Sequence, residues 1–586
     1  MGSIYMTAFR DFTGGYNDTS SFDSLKDNEL MAAENIVVSK SGAYPRRGCV
    51  ALNKTSYASN MTQIIEWPLS DGNYKHLVMK GKKLCLMAST EGTLTEKIEL
   101  NSTMISYVVY KDRLFFVDGN EYYVYGDYGL TSQSGSVDIK TGDIVKNLKS
   151  TGGEKNHFYK ALGNHGSTDL GTEDYSVSSK WADVTDGIIP DDIRAVVADA
   201  DVEGVDLTNI KKCTILEFHQ PSLRIFASGN PDNGAAVYFS EPDNPFAFKG
   251  SSELYPTSAL GPVTGLQPFM STLMASYKTG WRVWSGIEVG LDAAWKPVPI
   301  PAGCVNHWAK TLTPDSLTFW GNDGLYTVYP SILIEETAML VGNTRYQRLD
   351  EDKVEKAVKS STSNDTIRVT YYDGDVYFAY SDVDTTGTHY NNKVLLMNWA
   401  KKSFVLNTGW QVNDWVKAKG TELWFATKNY LLKADTGLND WDVEKGKAKP
   451  IHCVFEPKAL SLGNFAQAFY MKFLKTLYIS GKEIIDVELK SEIDVTVKSD
   501  FWELEGEADF IRSLIWGRDW GKKYGHCDNN IQALDVNKKG FRHRIRIESE
   551  TADNDWHVYS LGCEYEVLDG SQAERIESGD LSHIVD

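Results

Sequence analysis

From about residue 62 the chain repeats one pattern: a short apolar or alternating run, a tight turn, and a second run rich in aromatics. Leu77-Val78-Met79 turns at Lys80-Gly81-Lys82 into Leu84-Cys85-Leu86-Met87. Tyr107-Val108-Val109-Tyr110 turns at Lys111-Asp112 into Leu114-Phe115-Phe116-Val117, and Asp118-Gly119-Asn120 leads on to Tyr122-Tyr123-Val124-Tyr125. The same grammar returns at Leu223–Ala227 with Ala236–Ser240, at Thr272–Ser276 with Trp281–Trp284, and at Leu317–Trp320 with Leu325–Val328. It closes with Val369–Tyr372 before Val376–Ala379, and Leu423–Ala426 before Tyr430–Leu432. Period-two alternation across short polar turns predicts antiparallel meanders. The interval of roughly 40–50 residues is that of a four-stranded propeller blade. About six blade-like units are predicted between residues 62 and 440, with an irregular β-sandwich as the alternative.

Two stretches depart from this rhythm. Residues 130–212 are polar and acidic with few apolar runs, and read as an inserted small β module. Within them lie Thr141-Gly142-Asp143-Ile144-Val145, His157-Phe158-Tyr159-Lys160-Ala161 and Lys180-Trp181-Ala182-Asp183-Val184. This aromatic pattern is similar to small chitin-binding-type modules, and that likeness implies Tyr159 and Trp181 as rings for stacking on sugars. The alternative is that both rings form the module's core. From about 450 the runs lengthen: Lys472–Ile479, Ile484–Leu489, Ile493–Val497, Phe541–Glu548 and Tyr559–Glu566 alternate as strands of a C-terminal β-sandwich-like domain. Its tail from Asp569 to Asp586 is polar. No long amphipathic helix is predicted; Glu351–Ser361 has the pattern of a short one. The predicted organisation is an arm at 1–61, a propeller at 62–129 and 213–449, the insert at 130–212 and the C-terminal domain at 450–586.

The arm itself has no core pattern. It reads Asp11-Phe12-Thr13-Gly14-Gly15-Tyr16-Asn17-Asp18, then Glu34-Asn35-Ile36, then Arg46-Arg47-Gly48. This order resembles the start of the tail nozzle proteins of short-tailed bacteriophages and of the related plug proteins that stabilise packaged DNA. Gly229-Asn230-Pro231 with Tyr238-Phe239-Ser240-Glu241-Pro242, and the basic strand near the end, add to the resemblance. It implies a homo-oligomeric ring, hexameric in expectation, that contacts portal, adaptor and tail proteins in the virion. Such a ring retains genomic DNA and then lets it pass. The chain would be made in the cytoplasm of a bacterial host, and no enzymatic step is implied. An arm without its own core predicts that removing residues 1–48 leaves the blades folded.

Composition changes this picture in three ways. The chain has 586 residues, beyond the size of one core. Its net charge is −20, which opposes nucleic acid at long range yet suits a conduit to which DNA must not stick. Seven scattered cysteines without a Cys-x-x-Cys pair suit reduced, buried thiols. Met1-Gly2-Ser3-Ile4-Tyr5-Met6 lacks the basic region and apolar core of a secretory signal, and no apolar run is long enough for a membrane span.

Candidate chemistry is sparse. No metal-ligand spacing, phosphate loop or nucleophile elbow occurs, and no cofactor is implied. The Asp-rich turns Asp199-Ala200-Asp201 and Asp183 to Asp186 do not fit an EF-hand. A local charge reversal does stand out against the acidic background. Arg512, Arg518, Lys522, Lys523, Lys538, Lys539, Arg542, Arg544 and Arg546 are interleaved with Trp516, Trp520, Tyr524 and Phe541. This segment is predicted to dock on an acidic protein partner, with nucleic acid as the alternative ligand. A tail-tip protein recognising a host-surface glycan is the competing functional class.

Overall fold

The computed structural model describes the chain from Ile4 to Leu568 except residues 21–23, 54, 89–91, 127–129, 142, 156, 186–191, 200–201, 257–258, 285–294, 299, 330–344, 384–389, 460–461, 463–469, 471, 483–485, 493–500, 504–529, 541, 551 and 554. It describes backbone alone at 131, 345, 482, 486–492, 501–503, 530–540 and 542. Two compact units emerge, each discontinuous in sequence. One spans Thr62–Gly303 with 334–341; the other joins Met1–Met61 to Cys304–Leu333 and Gly342–Asp586.

The Thr62–Gly303 unit holds four antiparallel four-stranded meanders in succession. The first runs from the strand Met61–Pro68 to Leu94–Glu99, the third from Ile215–His219 to Glu253–Leu254, and the fourth from Val263–Phe269 to Lys296–Val298. In the second, Ser106–Tyr110, Arg113–Val117 and Tyr122–Tyr125 are completed by Ile193–Ala195. The strands form because each central one is apolar on both faces. Leu114, Phe115, Phe116 and Val117 are all fully buried, as expected of a strand covered on both sides. Phe116 stacks on Tyr123 across the pair. Lys111 and Asp112 both take positive φ, which makes the tight turn between the first two strands.

The second unit holds three further meanders. The first runs from Lys310–Leu312 to Arg345–Arg348 and the second from Arg368–Tyr372 to Ser403–Val412. The third has only three consecutive strands, Asp414–Ala418, Glu422–Ala426 and Leu431–Lys433. Its fourth strand is Val50–Ala51 from the arm, where Ala51 pairs with Leu432. The fold is all-β and of β-propeller type; among the described residues four blade-like four-stranded meanders lie in one unit and three in the other. The rhythm between residues 62 and 440 suggested about six, and the last unit is incomplete within that window because its outer strand lies before it.

The remaining strands of this unit make the C-terminal layers, and the arm is part of them. Glu29–Glu34 lies between Ser403–Val412 and Cys453–Pro457, so the arm bridges the sixth blade unit and the strands beyond it. Cys453–Pro457 continues to Arg542–Ser549 and Asp486–Glu492. A second sheet orders Asn530–Gly540, Lys472–Lys482 and His557–Val567, which the arm strands Ile4–Phe9 and Gly42–Pro45 join. One core serves these layers: Phe12, Leu30 and Ile36 of the arm pack with Phe455, Leu474, Leu477, Ile479, Ile545, Ile547, Trp556 and Leu561. The arm therefore contributes to this core and is not a separate element. The short helix expected near 351–361 is present as Glu355–Lys359.

His543 gives this core a pH dependence. It is fully buried, and burial, then the charge of Lys472, lower its pKa to about 4. An unfolded histidine titrates near 6.5. Below that value the unfolded chain takes a proton that the folded chain refuses. Stability should thus fall as pH drops from about 6.5 towards 4, by up to about 3 kcal/mol. His543→Gln should flatten that slope in melting curves taken across the window; a slope equal to wild type would remove His543 as its cause.

The insert is a loop extension of the second blade unit. The chain leaves after Tyr125 and returns at Ile193, its pairing partner, and the Gly126 N–H donates to the Asp192 carbonyl at 3.1 Å. Between these points lie the strands Leu130–Thr131, Ile144–Lys146, Phe158–Ala161 and Trp181–Asp183, and the two-stranded antiparallel sheet of Ser136–Ile139 with Gly166–Asp169. Its own core is Ile139, Val145, Tyr159, Ala161, Leu170, Tyr175 and Trp181. Residues 193–212, assigned to the insert on polarity, instead carry blade structure: Val196, Leu207 and Ile210 pack with Phe115, Tyr122 and Ile225. Replacing residues 127–191 by a short Gly/Ser linker should leave the melting temperature within about 4 °C. Replacing 130–212 should unfold the unit, because each of those three side chains carries about 1.5–3 kcal/mol of burial. Equal melting of the two variants would contradict this boundary.

Candidate functional site

The arm motif residues, widely spaced in sequence, converge with partners hundreds of positions away. Arg46 is the centre. Its Nη1 and Nη2 donate to Asp440 Oδ1 and Oδ2 at 2.8 and 2.6 Å. Its Nε donates to Asn35 Oδ1 at 3.0 Å, and the Thr408 and Arg47 carbonyls accept from Nη2 and Nη1. The guanidinium lies 4.4 Å from the Trp410 ring centroid, and the Trp410 indole N–H donates to Asp440 Oδ1 at 2.9 Å. Both charged side chains are buried. Burial alone would depress the Arg46 pKa; the Asp440 carboxylate outweighs it and raises the group above its ordinary value.

Asn35 extends the network. It sits at φ 55°, a region that asparagine tolerates. Its Nδ2 donates to Thr408 Oγ1 and to the His452 carbonyl, both at 2.7 Å, and its Oδ1 also accepts from the Thr408 N–H. Gly48 is held by space: a Cβ there would lie 1.8 Å from the Asn439 carbonyl oxygen. The Glu-Asn and Arg-x-Gly pieces of the motif are thus one buried assembly joining the arm to the sixth blade unit, through Thr408 and Trp410, and to the strand Asn439–Asp442, through Asp440 and Asn439.

The first piece of the motif does similar work on the helix Glu355–Lys359. That helix has no side-chain cap of its own at Val354. Asp18 supplies one from outside: its carboxylate accepts from the N–H groups of Lys356 and Ala357, while Thr19 Oγ1 accepts from Glu355. Three orphan donors of the first turn are satisfied by residues more than 330 positions earlier. Asn17 Nδ2 donates to Glu29 Oε2 and to the Asp352 carbonyl, both at 3.0 Å. Gly15 has φ 72°, and a Cβ there would meet the Phe404 carbonyl oxygen at 2.6 Å.

The predicted sugar-stacking rings are not surface platforms. Tyr159 is 5% and Trp181 2% exposed, inside the insert core. The Tyr159 hydroxyl accepts from the Glu154 N–H at 2.8 Å, and the Trp181 N–H donates to Glu173 Oε1 at 3.1 Å. His165 covers one Trp181 face at 5.1 Å and Tyr175 meets it edge-on. A ring stacked on a sugar needs an open face, so the stacking assignment is corrected to a core role.

The basic segment divides. Arg512, Arg518, Lys522 and Lys523 lie outside the described residues, as do Trp516, Trp520 and Tyr524. Lys538 and Lys539 fall in the strand Asn530–Gly540 and Arg542 opens Arg542–Ser549. Arg544 and Arg546 are corrected from docking residues to internal partners. Arg544 Nε donates to Glu456 Oε1 at 2.7 Å, Arg546 Nη1 reaches Glu456 Oε2 at 3.4 Å, and Arg546 Nε donates to Glu548 Oε2 at 3.0 Å. Glu456 is buried, so these cations neutralise an acid within the same sheet.

Sequence reading missed Asp440, Glu456 and Glu29, the buried acids that hold these networks. The signal available was weak: an acid inside an otherwise apolar strand, as in Cys453-Val454-Phe455-Glu456. Among the described residues, no cluster of three histidine, cysteine or acidic side chains is placed to hold a metal ion. Six of the cysteines are buried thiols that form no disulfide, and Cys527 lies outside the described residues. No described helix is long and apolar enough to cross a membrane. The Gly229-Asn230-Pro231 and Tyr238-to-Pro242 segment forms the turn and strand of the third blade unit. There the Ser240 hydroxyl accepts from the Ile225 N–H at 3.0 Å.

No protein-family model and no curated protein matches this chain. Among solved structures it is similar to YCF48 from Cyanidioschyzon merolae, at 8% identity and a TM-score of 0.33 over 66% of this chain and 98% of that one. It is also similar to the Pan2 WD40 domain of Neurospora crassa, at 9% identity and 0.31 over 67% and 96%. The WD40 β-propeller domain of Doa1 is similar at 10% identity and 0.31, again over 67% and 96%. At such scores the blade assignment rests on the sheet topology given above.

Proposed function

We propose that this chain is a virion structural protein of the nozzle or plug class, assembling as a homo-oligomeric ring, hexameric in expectation, at the end of a tailed phage's portal and tail channel. The ring retains packaged DNA and opens for its ejection, without a bond-breaking step. The observation that carries this reading is the buried assembly of Arg46, Asp440, Asn35 and Gly48. The residues that make the family resemblance are the ones that fix the arm to the blades and the C-terminal layers. A protein under DNA pressure needs its terminal segment fixed in this way, and a net charge of −20 disfavours adhesion of the passing duplex. Portal, adaptor and tail proteins are its proposed neighbours, and genomic DNA passes without sequence-specific contact.

Antibody–gold labelling of purified particles tests the reading. Label at the distal end of the portal–tail axis is expected. Label confined to capsid faces, or particles lacking the chain, would overturn it.

A further inference from the structure

The second sheet of the C-terminal layers has two different edges. Ile4–Phe9 lies along one side of His557–Val567, and Asn530–Gly540 lies on the far side of Lys472–Lys482. Among the described residues each of these outer strands pairs on one side alone. The register aligns Ile4, Glu566, Phe473 and Lys539 in one row, and Met6, Glu564, Thr476 and Asp535 in another.

Ile4–Phe9 reads Ile-Tyr-Met-Thr-Ala-Phe. It has no charge, proline or bulge, the devices that keep edge strands from pairing with other chains. Tyr5, Thr7 and Phe9 share rows with Tyr565, Cys563 and Leu561 of the core. Ile4 and Met6 occupy the opposite face and are 55% and 72% exposed. A strand apolar on both faces is the kind found covered on both faces and paired on both sides.

We propose that this edge is completed by Asn530–Gly540 of a second copy, so that the sheet runs on from one subunit to the next. The proposal rests on the ring reading above and names the two surfaces that make the ring. Because the two edges differ, the contact is head-to-tail and repeats until it closes. The eleven residues of Asn530–Gly540 are long enough to span the six of Ile4–Phe9. Charge also favours this occupant. Asn530–Gly540 places Lys539 in a row of the Ile4 face, and the rows of Ile4 and Met6 carry Glu566 and Glu564. Glu566 already pairs with Lys475 at 2.8 Å and Glu564 accepts from the Tyr478 hydroxyl at 3.0 Å. Each carboxylate keeps acceptor capacity for a second partner. The basic strand thereby gains a role as a partner-docking element, the partner being another copy of the chain.

The test measures the mass of the full-length protein by light scattering at micromolar concentration. Ile4→Lys with Met6→Lys disables one edge; Lys538→Glu with Lys539→Glu disables the other. Each double variant alone should lose assembly by at least about tenfold in dissociation constant, with an unchanged melting temperature. An equimolar mixture should then form dimers and nothing larger, since one intact edge remains on each partner. Wild-type-like assembly by either variant, a mixture that stays monomeric, or a monomeric wild type would overturn the proposal. Label at the tail end with assembly unaffected in both variants would overturn edge pairing and spare the ring reading. Absence of that label would overturn the ring reading, while mixed-variant dimers would still report the edge contact.

Discussion

Arg46→Ala is expected to lower the unfolding free energy of its unit by about 3–5 kcal/mol, the range for removing one partner of a buried ion pair. The cost comes less from the lost attraction than from what remains. Asp440 would stay buried beside Trp410 with its charge unmatched, and Asn35 Oδ1 and the Thr408 carbonyl would each lose a donor. Arg46→Lys should recover only part of the loss, because an ammonium cannot span both Asp440 oxygens and still reach Asn35. The pair Arg46→Met with Asp440→Leu should be less damaging than either single change to alanine, since no charge is then stranded. Calorimetric melting of the four proteins checks this. Trp410 provides a local signal, as its indole would lose a cation 4.4 Å from its ring. A loss below about 1 kcal/mol for Arg46→Ala would show that the pair is solvated and that the arm is held by other contacts.

The contrast between blades and arm shows what sequence pattern carries. Each blade hairpin is local: Tyr107–Tyr110 meets Leu114–Val117 across a two-residue turn, and alternation plus turn chemistry suffices to find it. The arm's partners are remote. Arg46 and Asp440 are 394 positions apart, and Asp18 caps a helix more than 330 positions away. No periodicity links such pairs, so the motif was visible as a motif while its chemistry was not. The insert boundary failed for a related reason. Residues 193–212 show no alternating run and carry several acids, yet Val196, Leu207 and Ile210 suffice to bind them to blade neighbours. Tyr159 and Trp181 illustrate a further limit: an aromatic in a polar stretch looks the same in sequence whether it faces water or fills a small core.

Deleting residues 1–48 is expected to abolish cooperative folding of the unit that holds the C-terminal layers, contrary to what an arm without its own core suggests. The deletion removes Phe12, Leu25, Leu30 and Ile36, all buried. At about 1.5–3 kcal/mol each, these four side chains alone account for roughly 6–12 kcal/mol. That is comparable with the whole stability of a typical domain, about 5–15 kcal/mol. It also takes away Glu29–Glu34 from between two strands, which exposes backbone donors and acceptors of Cys453–Pro457 that this strand now satisfies. Arg46 goes with it, leaving Asp440 buried and unpaired by its cation. The truncated chain should be protease-sensitive in this unit and show no cooperative melting transition for it. Removing only residues 1–9 should behave differently. Ile4–Phe9 is an edge strand with half-exposed residues, so the unit should still melt cooperatively while subunit assembly is lost. If the 1–48 deletion instead yields a soluble protein melting within about 4 °C of the full chain, the arm is an addition to a self-sufficient fold and its buried contacts contribute little. The two truncations side by side separate a strand that completes the fold from one that is free to complete a neighbour.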